Sequence, residues 1–345
     1  MKIKGAVVIG MYAGMLLAGR QVAAADGPMV SGWIDLNMER ISSPKGSTER
    51  ISSGGLNSSR LVFSDSEDLG DGWKAFFTHE MQFDASTGAG PTPRQSFVGM
   101  SGPYGTLSLG RQNTPSYWVA GYADPSWSAD YSMVSNMEFF YAPYRESNSI
   151  NYNTPRIAGV QGRFMYSAGA EDGTKNGRYI STGFDYRNGP LFAGFVSDLT
   201  NTKSIVPGSN AIPTSRDNYF ALTYKIGSIE PTFIYHTYNG YYAYPPYVAF
   251  QSKGWDMQIG ARYNLDARNS FFGSYVRRKD ANNTSLSDAN GAVLGYGYHF
   301  SKRTDLYLNY ARIIAKNNTS IQYPVTFSSN PAPTSGVQLG IRHGF

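Results

Sequence analysis

Segments of about ten residues in which apolar and polar side chains alternate recur along this chain, and the connections between them are short and long in strict turn. In 73–84, Trp73, Ala75, Phe77, Met81 and Phe83 share one face, and Lys74, Thr78, Glu80, Gln82 and Asp84 the other. In 254–264, Trp255, Met257, Ile259, Ala261 and Tyr263 oppose Asp256, Gln258 and Arg262. The last segment, 336–345, sets Val337, Leu339, Ile341, His343 and Phe345 against Gln338, Gly340, Arg342 and Gly344. A period of two is that of a β-strand. The short connections are 67–72, 101–106, 153–159, 186–190, 225–230, 264–270 and 300–305, rich in the turn formers Gly, Asn, Asp, Pro and Ser. The long ones lie near 39–59, 84–93, 112–144, 167–178, 197–217, 236–254, 277–291 and 315–335. Seven short and eight long connections separate sixteen antiparallel strands. An even strand number, with short turns on one side and long loops on the other, is the pattern of a bacterial outer-membrane β-barrel.

Composition removes the competitors. After residue 18 no run of 18 or more apolar residues occurs, which excludes a helical membrane protein. There is no cysteine, which excludes thiol catalysis, thiolate metal sites and disulfides. A soluble sandwich alternates in the same way, but its interior has no place for Lys74, Glu80 and Asp84 in one row. Trp73, Phe83, Tyr152, Phe164, Tyr186, Tyr224, Trp255, Tyr263, Tyr298, Phe300 and Phe345 lie at or near strand ends, where interfacial girdles belong. Residues 1–25 read as a secretory signal, with Lys2 and Lys4 ahead of an apolar stretch and Ala23-Ala24-Ala25 at its end. Cleavage before Asp26 leaves 26–345 as one barrel domain, and loss of Lys2, Lys4 and Arg20 lowers the net charge from +5 to +2. No basic run suggests nucleic acid as a partner.

The blocks NSSRLVFSDSEDLGDGWKAFFTHEMQF (57–83), RQSFVGMSGPYGTLSLGRQNTP (94–115), RESNSINYNTPRIAG (145–159) and YHFSKRTDLYLNYARI (298–313) resemble the Gram-negative trimeric general porins, in particular their β-proteobacterial branch. The resemblance covers essentially the whole mature chain. It implies a sixteen-stranded barrel that assembles as a homotrimer in the outer membrane. It implies a third loop folded into the lumen, and arginines on the wall facing that loop. The closing GIRHGF (340–345), with its terminal Phe345, is similar to the strand that the family presents to the barrel-assembly machinery.

The longest connection, 112–144, holds Trp118, Tyr122, Trp127, Tyr131, Phe139, Phe140 and Tyr141, too aromatic for a disordered tether. Asp124, Asp130 and Glu138 are its carboxylates, and it contains no Lys or Arg between Arg111 and Arg145. Residue types alone leave it open whether this loop narrows the lumen or stands outside; the resemblance implies the former. Parity places Arg60 on the lumen face, since Leu61 and Phe63 take the outer one. With Phe97 outward, Gln95 takes the outer parity and Arg94 the inner. Arg145 shares parity with Ser147, Ser149 and Asn151, opposite Ile150 and Tyr152. In family terms Arg60, Arg94 and Arg145 match the arginine ladder of the constriction, facing Asp124, Asp130 or Glu138, with Glu80 placed to neutralise part of it.

The histidines His79, His236, His299 and His343 have no metal-ligand spacing, and no G-x-S-x-G elbow occurs. His236 with Ser252 and Asp256 is the one conceivable hydrolytic set. The expectation is therefore a channel, not an enzyme, with neither cofactor nor metal. It passes small hydrophilic solutes and ions by passive diffusion, with weak anion preference, in contact with outer-membrane lipids. The alternative is a substrate-specific channel for a sugar or organic anion, suggested by the tyrosines of 235–247.

Overall fold

The computed structural model describes residues 27–43, 46–127, 129–138, 143–202, 210–242, 250–281, 288–315 and 335–345; the expected leader, 1–25, lies outside them. The strands are β1 (Met29–Ser43), β2 (Gly46–Ser53), β3 (Arg60–Gly70), β4 (Trp73–Gln82), β5 (Thr92–Gly102), β6 (Gly105–Asn113), β7 (Arg145–Asn153), β8 (Val160–Ser167) and β9 (Tyr179–Asn188). They continue as β10 (Leu191–Asn201), β11 (Thr214–Tyr224), β12 (Ile229–Tyr242), β13 (Phe250–Asn264), β14 (Asn269–Asp280), β15 (Ala289–His299), β16 (Thr304–Ala315) and β17 (Ser335–Gly344). Consecutive strands from β3 onward pair antiparallel, and β17 returns to β1 from Trp33↔Gly344 to Ser42↔Ser335, closing the sheet. Closure gives β1 and β17 partners on both sides and removes the two free margins of an open sheet.

Burial is inverted relative to a soluble protein. The outward positions Ile34, Met38, Val98, Met100, Leu107, Leu109, Ile259, Leu294, Leu308 and Leu339 are exposed, whereas the inward ones include buried Asp35, Asn37, Glu39, Asp256, Gln258, Asn309 and Gln338. Such a surface suits hydrocarbon outside and water or polar contacts inside. Aromatic pairs at strand ends mark the interfaces: Tyr152–Phe164 and Tyr263–Phe271 stack at 6.4 Å, and Tyr298–Phe300 meet at 4.9 Å.

Seventeen strands make sixteen staves, because β2 and β3 are two halves of one. β1 pairs with β2 over Leu36–Ser43 and with β3 over Met29–Trp33. The expected long loop at 39–59 is thus corrected: β1 and β2 form a hairpin there, and the interruption falls at 54–59, which bends inward. Asp35 on β1 holds it there. Its Oδ2 accepts the Leu56 and Asn57 amides at 2.8 and 2.9 Å, its backbone carbonyl accepts Gly54 N at 2.9 Å, and Oδ1 accepts the Tyr307 hydroxyl at 2.6 Å. The amides removed from the ladder are thereby satisfied by a carboxylate inside the barrel.

A second irregularity corrects the parity of β5. Glu80 pairs with Gln95 and Met81 with Pro93, so Arg94 is an inserted residue. A β-bulge of this kind places two neighbours on one side. Gln95 and Phe97 therefore face inward with Arg94, not outward: Gln95 Nε2 donates to Glu80 at 2.7 Å, and Phe97 meets Phe76 edge-on at 6.3 Å.

Candidate functional site

The interrupted stave and the bulge gather the basic wall. Arg60 heads β3, where its guanidinium lies 4.4 Å from the Trp33 ring, donates from Nε to the Ser58 carbonyl at 3.1 Å, and bonds Asn57 through Nη2. Arg94 donates to Ser58 Oγ at 3.2 Å and Gln82 Oε1 at 2.9 Å. Both converge on Glu80 Oε1, Arg60 through Nη1 and Arg94 through Nε at 2.6 Å. Arg145, opposite Asn113 where the 112–144 connection re-enters the sheet, lies within electrostatic reach of Arg94 and Glu80. The sequence-derived grouping of Arg60, Arg94, Arg145 and Glu80 is thus one patch. Near Arg145 the alternation is broken by Asn148 at φ 52° and a register shift between Gly110 and Gln112.

The described residues of the connection 112–144 pack on the inner faces of the strands. Its helix, α1 (Pro115–Ala123), begins with Thr114 as N-cap, whose Oγ1 accepts Tyr117 N at 3.2 Å, and with proline in the first turn. Val119, Ala120 and Ala123 bury against Phe192, Val196, Tyr219, Ala221 and Ile234 of β10–β12. At the carbonyl end of α1, Arg262 of β13 donates to the Tyr122 and Pro125 carbonyls at 3.1 and 3.2 Å and to that of Asp124, while pairing with Glu230 at 3.1 Å. A cation belongs there, because the last carbonyls of a helix lack partners and carry partial negative charge.

Farther along, Tyr131, Met133 and Met137 bury against Ile41, Val276, Val293, Ala311 and Ile313. The Tyr131 hydroxyl donates to Glu39 at 3.0 Å, and burial together with that carboxylate pushes its pKa well above the ordinary value, so it stays a neutral donor. A short π-helical turn, Val134–Glu138, follows, and Arg278 Nη1 reaches the Met137 carbonyl at 2.5 Å. Asp130 N donates to Gly55 O at 3.1 Å, joining the loop to the inward bend of the broken stave.

The three acidic candidates separate. Asp124 is fully buried and turned into its own loop, where it accepts Ser126 Oγ at 2.8 Å and Ser132 Oγ at 2.6 Å. It shapes the loop and does not stand opposite the arginines. Asp130 is the one whose backbone is bonded beside Asn57 and Arg60. The side chain of Glu138 lies outside the described residues.

His236 sits with both ring nitrogens on carboxylates, Nδ1 2.8 Å from Asp256 and Nε2 3.1 Å from Asp217, and stacks on Tyr219 at 4.1 Å. Ser252 pairs with Gly240, four residues along the strand from His236, so the register does not bring Ser252 opposite the ring. In the tyrosine-rich segment, Tyr235 faces outward against Trp255 and Tyr238 is buried beside Arg278, while 243–249 lie outside the described residues. Phe345 pairs with Gly32 across the closing seam through N–H···O bonds of 3.0 and 3.3 Å.

Residue-by-residue reading missed the roles of Asp35, Asn57, Ser58 and Arg262 and put Gln95 on the wrong face. Their partners are distant in sequence or lie beyond a bulge, and only the inward parity of Asp35 and Arg262 could have flagged them.

A model of the Gram-negative porin family matches residues 6–318. The outer membrane porin protein 32 of Delftia acidovorans is 26% identical, over 96% of this chain and 97% of its own. A major outer membrane protein P.IB of Neisseria meningitidis is 31% identical over 44% of this chain, a match that spans under half (45%) of that relative. Among solved structures, the anion-selective porin from Comamonas acidovorans superposes with a TM-score of 0.79 at 22% identity, covering 92% of this chain and 99% of that one.

Proposed function

The chain belongs to the Gram-negative porin family, and we propose that this outer-membrane barrel is a water-filled channel for small hydrophilic solutes and ions with a weak preference for anions. One observation carries the preference. Arg60, Arg94 and Arg145 share a patch in which Glu80 is the carboxylate bonded to two of them, so positive charge is left over on the lumen wall. Charges in a constriction set ion selectivity, and low-dielectric walls focus their field. The loop 112–144 narrows the passage, and Asp130 stands as the opposing carboxylate, with Glu138 assigned to the same side. The likeness to the anion-selective porin from Comamonas acidovorans points the same way.

The test is a zero-current potential across a planar bilayer in a salt gradient. Replacing Arg60, Arg94 and Arg145 together by Ser should move that potential toward cations and preserve or raise conductance. A triple variant with the parent's reversal potential would take the arginines out of the constriction.

The finer partners rest on the family resemblance. Three copies assemble through outward faces, lipid covers the apolar belt, Phe345 is read by the barrel-assembly machinery, and residues 1–25 are removed on export. Sedimentation of the unheated protein in mild detergent only as a single copy would remove the trimer.

A further inference from the structure

At the end of the barrel that carries the short turns, three more arginines converge on one carboxylate. Asp185 of β9 is fully buried and accepts Arg156 Nη2 at 2.6 Å, Arg163 Nε at 2.6 Å and Arg187 Nε at 3.0 Å. Arg156 lies in the turn between β7 and β8, Arg163 low on β8, and Arg187 near the end of β9. Two of the three guanidinium groups are otherwise engaged. The terminal nitrogens of Arg156 reach Gly159 O at 2.7 Å and Gln161 Oε1 at 3.0 Å, and those of Arg163 reach Asn153 at 3.4 Å and Gln161 at 3.3 Å.

Arg187 differs. Asp185 takes only its Nε, and among the described residues neither terminal nitrogen is bonded to an acceptor. Its side chain is 38% exposed and shares the inward parity of Asp185. The guanidinium carbon is 4.2 Å from the centroid of Tyr122, at the end of α1, and 5.3 Å from that of Phe192. The Tyr122 ring is itself fixed, 4.2 Å from Phe192 and 5.4 Å from Trp127.

We propose that Arg187 is a second anion-binding station of the channel, placed on the turn side of the loop, that takes carboxylates and other oxyanions on the free edge of its guanidinium. The proposal rests on the channel reading above and adds a site to it. Two terminal nitrogens in one plane match the two oxygens of a carboxylate. The Nε bond and the aromatic shelf hold that plane before any solute arrives, so little side-chain freedom is lost on binding. Three guanidinium groups around one carboxylate leave the cluster net positive, so an oxyanion meets attraction there. Arg60, Arg94 and Arg145 begin or nearly begin strands that descend from the long-loop side, whereas Arg187 almost ends one. An anion crossing the loop thus passes from one positive patch to another. Conduction through several weak sites is what lets an attractive pore still release its solute.

The experiment is single-channel recording of the full barrel in a planar bilayer, with succinate and, separately, inorganic phosphate added from the turn side. Because the chain has no cysteine, Lys302→Cys in the turn between β15 and β16 gives a unique handle for a membrane-impermeant thiol reagent to report orientation. Arg187→Gln should shorten the residence of either blocker about tenfold when it comes from the turn side, the loss expected for one charge-assisted pair. Should that variant fail to assemble, Arg187→Lys keeps the charge and loses the fork, and should shorten residence at least threefold. Unchanged residence in the assembled variants overturns the station. A parent protein that forms no open channel overturns the channel reading instead.

Discussion

Glu80 sets how much of the upper arginines' charge reaches the lumen. Its Oε1 is shared by Arg60 and Arg94, and its Oε2 accepts Gln95. Glu80→Gln keeps the shape and removes the countercharge, so the reversal potential should move toward anions, opposite to the triple serine variant. The two arginines lose a charged acceptor inside the barrel, which should cost about 1–3 kcal/mol and lower the temperature at which the unheated band on a gel gives way to the unfolded one. A potential that stays put would mean that Glu80 is silent in permeation. Its inward position was legible from parity with Lys74 and Gln82. Gln95 was not, because one inserted residue inverts everything after it on the strand, and alternation alone carries no mark of an insertion.

At the scale of elements, Arg262 is the clamp on the lumenal loop. It binds three loop carbonyls, pairs with Glu230, and lies with its guanidinium 4.7 Å from the Trp127 ring. Arg262→Met should remove three hydrogen bonds from the carbonyls at the end of α1, break the buried ion pair with Glu230, and destabilise by about 3–5 kcal/mol. The expected readout is a flickering current from a barrel that still assembles; a record as quiet as the parent's would show the seat to be held elsewhere. Most strands were legible because their two-residue period and turn chemistry are local. The broken stave was not: a polar stretch such as 54–59 looks the same whether it turns out or in, and what turns it inward is Asp35 on another strand. The loop's seat was equally hidden. Neither Gly336 nor Gly291 carries a mark of it in the sequence, yet a Cβ at Gly336 would fall on the Tyr131 hydroxyl, and one at Gly291 on the sulfurs of Met133 and Met137.

For the whole molecule, the even number of staves puts both ends of the barrel sheet on the side of the short turns. Trypsin added to intact cells should cut at exposed Lys175, in the connection between β8 and β9, and spare Lys302 and Arg303, which are equally exposed in the turn between β15 and β16. Cleavage at the latter pair alone would invert the barrel. The overall architecture was the most legible level, because it depends on a count of alternating segments and not on any one residue.

The seam between β1 and β17 has a consequence for how such a chain is made. Trp33 finds Gly344, and Gly32 finds Phe345, across almost the full length of the polypeptide. Contacts so remote in sequence form late, since the loop they close must first be brought together. The first strand therefore pairs early with β2 and β3 along one edge, but its other edge stays open until β17 has been made. A chain that stops ten residues early is not a slightly shorter barrel; it is a curled sheet with two sticky margins, and those margins are open invitations to other chains. The final strand thus acts as a completeness check on its own synthesis, written into the topology.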